Sequence, residues 1–179
     1  MLKLGGLEKF REAKFAGGLF ATVLLRLLQI VPNVEPIMAF TSPYAKAYGA
    51  LAGFAFALIS LVSFDFISGR LGLWTLYCGV AYGLIGLFAA YYFKSRSKRV
   101  HYAAYAFVAT IAYDAVTAFL FGLQFNQPLW LTLLGQIPFT MYHVAGNVLF
   151  AAVVSPAIYD YVLAQPGAEV NPHADKVVH

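Results

Sequence analysis

Charged side chains are scarce in this sequence. Only 11% of its 179 residues are charged, whereas 61% are hydrophobic, and the mean hydropathy is +0.71. Water-soluble domains have about a quarter charged residues, because ionisable side chains cover much of their surface. The scarcity excludes a water-soluble domain as the main body of the chain, and it predicts that lipid covers much of the outer surface.

Cysteine and the common catalytic motifs are also nearly absent. Cys78 is the single cysteine, which excludes an internal disulfide and a cysteine-cluster metal site. The sequence contains no Walker A motif, no serine elbow and no His-Glu-x-x-His run. We therefore expect that the chain is not an enzyme, and that it holds no cofactor and no metal.

The residues that are abundant form long apolar stretches rich in Ala, Leu and Phe. Roughly 20 apolar residues are needed for one helical crossing of a bilayer. Continuous stretches of this kind favour helices over the alternating strands of a membrane β-barrel. Five stretches are clear: residues 15–31, 50–67, 73–93, 102–123 and 129–163.

Basic residues set the predicted topology. Four precede the first stretch and four lie between the third and fourth: Lys3, Lys9, Arg11 and Lys14, then Lys94, Arg96, Lys98 and Arg99. Because basic segments flanking spans stay in the cytoplasm, both clusters are predicted to be cytoplasmic, and an even number of crossings must separate them. Only three clear stretches do so, and residues 36–48 are therefore predicted to form a short additional span.

The resulting fold prediction is an all-α integral membrane bundle of six transmembrane helices with both termini in the cytoplasm. Residues 1–14 are predicted to be a cytoplasmic segment, 15–163 the transmembrane domain, and 164–179 a disordered cytoplasmic tail. The expected location is the cell membrane, as a multi-pass protein.

Polar side chains inside the predicted spans lie mainly toward the outer surface. On the last helix, polar residues recur every three or four positions and so share one face, from Gln136 to Asn147. Burying such groups in a bilayer is costly without a partner or a wet cavity. We therefore predict an outward-facing binding pocket with these residues: Asn33, Glu35, Asp65, Trp74, Asp114, Gln136, His143 and Asn147. Aromatic residues at similar depth are expected to stack on a flat ligand: Trp74, Tyr113, Phe125, Trp130 and Tyr142.

Other interpretations of these residues remain open. Pairs such as Arg26 with Asp114, or Arg70 with Asp65, would simply hold helices together. An acid–base pair of His143 with Asp114 would suit a membrane enzyme. A stand-alone secondary carrier would also need a polar pocket within the membrane.

Several short segments resemble the substrate-binding S components of energy-coupling factor (ECF) vitamin transporters. One is Val31-Pro32-Asn33-Val34-Glu35-Pro36, and another is Gly72-Leu73-Trp74-Thr75, which is followed by Tyr82-Gly83-Leu84-Ile85-Gly86. The last helix carries Pro138-Phe139-Thr140 and then His143, Gly146 and Asn147. Together these segments sample most of the chain from Val31 to Phe150.

The resemblance implies a six-helix protein that binds a vitamin or related micronutrient in a pocket open to the outside. It also implies partners: a transmembrane T component and two ATPases, which drive a toppling of the S component that delivers the ligand inward. Docking on the T component would involve the small residues Ala13, Gly17 and Ala21 of the first helix. A cobalamin-like corrinoid, a pterin, a deazapurine precursor and a thiamine-like ring all remain open as ligands.

Overall fold

The computed structural model describes residues 2–28 and 35–164, with side chains from residue 8 onward. Every regular element in these ranges is helical, which confirms the all-α prediction for this part of the chain. The helices are α1 (Leu2–Leu28), α2 (Pro36–Tyr48), α3 (Ala50–Ile67), α4 (Leu73–Tyr92), α5 (Arg99–Gln124) and α6 (Leu129–Ala157). A π-helical segment, Ile158–Leu163, continues α6. The predicted disordered tail, apart from Ala164, lies outside the described residues.

Helix α1 begins much earlier than the apolar stretch at residue 15. It runs from Leu2 through the basic segment without a break. Lys, Arg, Glu, Leu and Ala are strong helix formers, so the backbone stays helical where the sequence is no longer apolar. The residues predicted to form a separate cytoplasmic segment are therefore the first turns of α1.

Helix α2 is short and lies at the centre of the bundle. All of its residues from Pro36 to Ala45 are buried, and it packs against each of the five other helices. Pro36 opens the helix at a position where its missing N–H is not needed. The helix ends before Gly49, whose φ of 93° suits glycine, and α3 begins at the next residue.

The other helices pack mainly as two antiparallel pairs, α3 with α4 and α5 with α6. The α3–α4 pair is very close at Gly53 and Gly86, where a Cβ on either residue would overlap the backbone of the other. Helix α6 is tied to the central helix by Ser155, whose hydroxyl donates to the Ala39 carbonyl oxygen at 2.6 Å. Helix α1 lies against α2 and α3.

Four helical stretches in the described ranges are long and apolar enough to cross a membrane: Ala50–Ile67, Leu73–Tyr92, Arg99–Gln124 and Leu129–Leu163. Large apolar side chains are exposed along these helices, such as Leu51 at 81% and Leu149 at 69%. Such exposure is unfavourable in water and suits a surface covered by lipid. The fold is thus compatible with a membrane protein.

Candidate functional site

A cavity of about 470 Å³ lies at one end of the bundle. Its walls come from Arg26 near the end of α1, Trp74 at the start of α4, the second half of α5 and the first half of α6. The basic residues 94–99 follow the other end of α4, about 30 Å away along a 20-residue helix. The cavity is therefore at the end of the molecule opposite to this basic connection.

The cavity wall combines aromatic rings with a few ionisable groups. Its aromatic members are Trp74, Tyr82, Tyr113, Phe121 and Phe139. The Tyr82 and Tyr113 rings lie 4.2 Å apart between centroids, and the Trp74 and Phe121 rings meet edge to face at 5.7 Å. An apolar, aromatic wall with a small number of oriented polar groups is typical of small-molecule sites.

Asp114 and His143 form the most deeply buried polar pair of the cavity wall. Asp114 Oδ1 and His143 Nδ1 are 2.8 Å apart, and each residue is only 1% exposed. Because a carboxylate only accepts hydrogen bonds, His143 Nδ1 carries the proton of this bond. The outer atoms of the pair, Asp114 Oδ2 and His143 Nε2, have no partner among the described residues.

A chain of hydrogen bonds connects α6, α5, α2 and α1 beside the cavity. Asn147 donates from Nδ2 to Thr110 Oγ1 at 3.0 Å and accepts at Oδ1 from the Glu35 backbone N–H at 3.0 Å. The Glu35 carboxylate in turn accepts from Arg26 Nη1 at 2.7 Å. The Arg26 guanidinium also lies over the Phe64 ring, 4.4 Å from its centroid.

Asp65 fixes the beginning of α4. Its Oδ2 accepts a 2.6 Å hydrogen bond from the Thr75 hydroxyl, and Thr75 Oγ1 accepts from the Gly72 N–H at 3.2 Å. This arrangement caps the helix from which Trp74 projects. Asp65 is 6% exposed and does not line the cavity.

The structure brings five of the eight predicted pocket residues to the cavity wall: Glu35, Trp74, Asp114, Gln136 and His143. Asp65 and Asn147 are buried behind the wall and hold other residues in place. Asn33 lies outside the described residues. Of the two ion pairs considered, neither forms, since Arg26 pairs with Glu35 and the Arg70 side chain is exposed without an ion-pair partner in the described ranges.

Several cavity residues were not predicted, and helical spacing identifies them. Phe121 follows Asp114 at seven positions, while Phe139 precedes His143 by four. Tyr82 lies on α4 two turns after Trp74. Three of the five aromatic residues expected to stack on a ligand do not reach the wall: Phe125, Trp130 and Tyr142, which are exposed at 55%, 65% and 71%.

The small residues predicted to dock on a partner lie on α1, away from the cavity. Ala13 and Gly17 are exposed, and a Cβ added to Gly17 would meet no atom within 4 Å. Ala21 is half-buried and packs against the cluster around Tyr44 and Phe56. The first two positions are thus on a free face of the helix.

No protein-family model matches the chain, and neither a curated protein nor a solved structure matches it. Among the described residues, no group of three or more His, Cys, Asp or Glu side chains is arranged to hold a metal ion.

Proposed function

We propose that the chain is a membrane-embedded, high-affinity binding subunit for uptake of a vitamin or related micronutrient. The observation that carries this proposal is the cavity of about 470 Å³ at one end of the bundle, with aromatic and ionisable walls. At the other end of α4, an apolar cluster that includes Phe93 and Tyr102 fills the interior. A pore would need polar groups along the full depth of the membrane, whereas a binding subunit needs one pocket that is closed at its inner end.

The proposed topology has six spans with both termini in the cytoplasm of a cell-membrane protein. Two clusters of basic residues support this topology, because the start of α1 and residues 94–99 then both face the cytoplasm. In this orientation the cavity opens toward the outside. Helix α2 is a span surrounded by protein rather than lipid, which allows it to be shorter than the membrane is thick.

The proposed partners are a transmembrane T component and two ATPases of an ECF transporter. Support comes from the resemblance of the residue 31–36, 72–75 and 138–147 segments to S components. The exposed face at Ala13 and Gly17 is a suitable contact for another helix, because small residues allow close approach in lipid. ATP would be hydrolysed by these partners, and this chain would bind ligand without catalysis.

The proposal is tested by purifying the chain alone and screening micronutrients by native mass spectrometry. We expect one compound to bind tightly without ATP, and Asp114→Ala to weaken that binding while the protein stays folded. Uptake into liposomes is expected only when a T component and the ATPases are present. Unchanged affinity in Asp114→Ala would contradict the site, and uptake by the isolated chain would favour a stand-alone carrier.

A membrane enzyme is the second candidate, because the His143–Asp114 pair has the geometry of a general base and its orienting carboxylate. Its signature is turnover of a lipid-soluble compound that is lost in His143→Gln. Binding of a ligand that the unaltered protein leaves chemically unchanged would favour the binding subunit.

A further inference from the structure

Three polar atoms of the residues that line the cavity have no hydrogen-bond partner among the described residues: Tyr82 Oη, Asp114 Oδ2 and His143 Nε2. All three residues are 1% exposed. Unpartnered buried polar atoms are rare in native proteins, and three of the seven found among the described residues belong to this one wall. All three residues line the cavity, and the Phe139 ring lies next to His143, with the two ring centroids 5.2 Å apart.

The hydrogen-bonding character of these atoms favours a ligand that donates. Asp114 Oδ2 can only accept. Because His143 Nδ1 donates to Asp114, Nε2 is also an acceptor when the imidazole is neutral. The Tyr82 hydroxyl either donates or accepts, so it adapts to either kind of ligand atom.

The charges around the cavity are unbalanced. Two carboxylates line the wall, those of Glu35 and Asp114, and Arg26 is the one guanidinium among the lining residues. Arg26 is already paired with Glu35 at 2.7 Å. Among the residues that line the wall, the Asp114 carboxylate then has no basic partner other than the imidazole of His143, so the site can accept a positive charge on the ligand.

The aromatic rings reinforce this preference. Five aromatic side chains surround the cavity, and the faces of such rings attract cations. Rings that lie as close as those of Tyr82 and Tyr113 also provide a surface for a flat group. The charge of Arg26 is offset by Glu35, so an anionic ligand gains less from it than from an unpaired guanidinium.

We propose that the ligand of this cavity is a planar organic cation with N–H donors, such as an amidinium or a protonated amino-heteroaromatic group, which binds to Asp114 and is enclosed by the aromatic wall. This inference rests on the proposed function in that it takes the cavity to be a ligand site. It goes further by naming the charge and the donor pattern of the ligand.

The test uses three probes with the same ring and different charge: benzamidine, benzamide and benzoate. Binding to the full chain in phosphatidylcholine nanodiscs is followed by the fluorescence of Trp74, with Trp130→Phe removing the other tryptophan. We expect benzamidine to bind about tenfold tighter than benzamide, because it adds a charge-assisted bond. Benzoate should bind most weakly. Equal or tighter binding of benzoate, or no response to any probe, would overturn the inference.

Two variants test which residues cause the preference for benzamidine. Asp114→Asn keeps the shape of the side chain and removes its charge, so benzamidine should lose most of its advantage over benzamide while benzamide binds as before. Glu35→Gln frees Arg26 from its partner and should improve benzoate binding relative to benzamidine. A benzamidine preference that survives Asp114→Asn would place the cation elsewhere and refute the assignment.

The results also separate this inference from the proposed function. If the screen by native mass spectrometry finds an anionic nutrient whose affinity does not depend on Asp114, the uptake function stands and the cation assignment fails. If benzamidine binds through Asp114 but no nutrient is bound or taken up, the cation site stands and the uptake function fails.

Discussion

At the scale of single residues, Asn147 is the side chain at which three helices meet beside the cavity. It connects α6 to Thr110 on α5 and to the backbone of Glu35 at the start of α2. Glu35 then holds Arg26 on α1. The position of the ion pair in the cavity wall therefore depends on an amide that is itself outside the wall.

Replacement of Asn147 by Ala should lower the free energy of unfolding by about 1–3 kcal/mol, because it leaves the partly buried Glu35 N–H without its acceptor. Thermal or denaturant unfolding in detergent micelles measures the change. Gln136→Ala is a suitable control, since Gln136 has no hydrogen bond to a described residue and should change stability much less. Equal stability of the two variants would contradict the role given to Asn147.

Thr75 provides a second test at this scale. Thr75→Val keeps the shape of the side chain but removes the hydroxyl that bonds Asp65 and Gly72, and we expect a loss of about 1–2 kcal/mol in unfolding free energy. Thr75→Ser keeps the hydroxyl and should retain most of the stability. If serine and valine are equally destabilising, loss of the methyl group or of packing is responsible instead.

A cavity residue could be predicted from the sequence where its depth along the helix and its helix face both place it at the cavity. Asp114, Gln136 and His143 are spaced on single helix faces that point inward, and the sequence pattern identifies them. Asp65 and Asn147 lie at a suitable depth, but their side chains bond to neighbouring helices. Tyr142 directly precedes His143 and therefore points about 100° away around the helix, toward the outside. Spacing specifies which residues share a face of one helix, but which face turns toward the cavity depends on how the helices pack, and composition does not specify that.

At the scale of elements, the helix boundaries within the apolar regions were largely predictable. Helix α2 begins at Pro36 and ends at the expected turn before Gly49, because proline and glycine have strong local effects on the backbone. Helix α1 begins about a dozen residues before the apolar stretch at residue 15. Hydropathy marks where a helix can enter lipid, whereas the helix itself continues through charged residues with high helix propensity.

The close approach of α3 and α4 gives a prediction at the element scale. Gly86→Ala or Gly53→Ala should destabilise the protein by about 1–3 kcal/mol, because the added methyl group overlaps backbone atoms that cannot rotate away. Gly17→Ala is the matched control: this glycine is also helical, but the space around it is open, and the change should be neutral or slightly stabilising. Tolerance of Gly86→Ala would show that the two helices are further apart than described.

At the scale of the whole molecule, the orientation of the bundle determines whether the cavity is available to external ligands. The native Cys78 is 2% exposed and should not react with a membrane-impermeant maleimide. Because the cavity end is proposed to face the outside, a cysteine introduced there as Gln124→Cys is expected to be labelled in intact cells. A cysteine introduced as Ser97→Cys, between the basic residues, should be labelled only after the cells are permeabilised.

Labelling of the Ser97→Cys protein in intact cells would show that the bundle has the opposite orientation in the membrane. That result would contradict an external binding pocket. Unchanged binding of ligand by both cysteine variants serves as the control that the fold is intact. The architecture of helices could be predicted from the sequence, but the charge pattern gives only an expectation of which end faces outward.

The burial of α2 has a consequence for the order in which the protein matures during synthesis. The ten residues from Pro36 to Ala45 are covered largely by α3, α4 and α6, all of which leave the ribosome later than α2 itself. A segment of 13 residues is too short to settle alone across a bilayer core of roughly 30 Å. The site into which α2 packs is therefore complete only when the last helix has been made. In nascent chains that stop before α6, α2 lacks part of the protein surface that buries it.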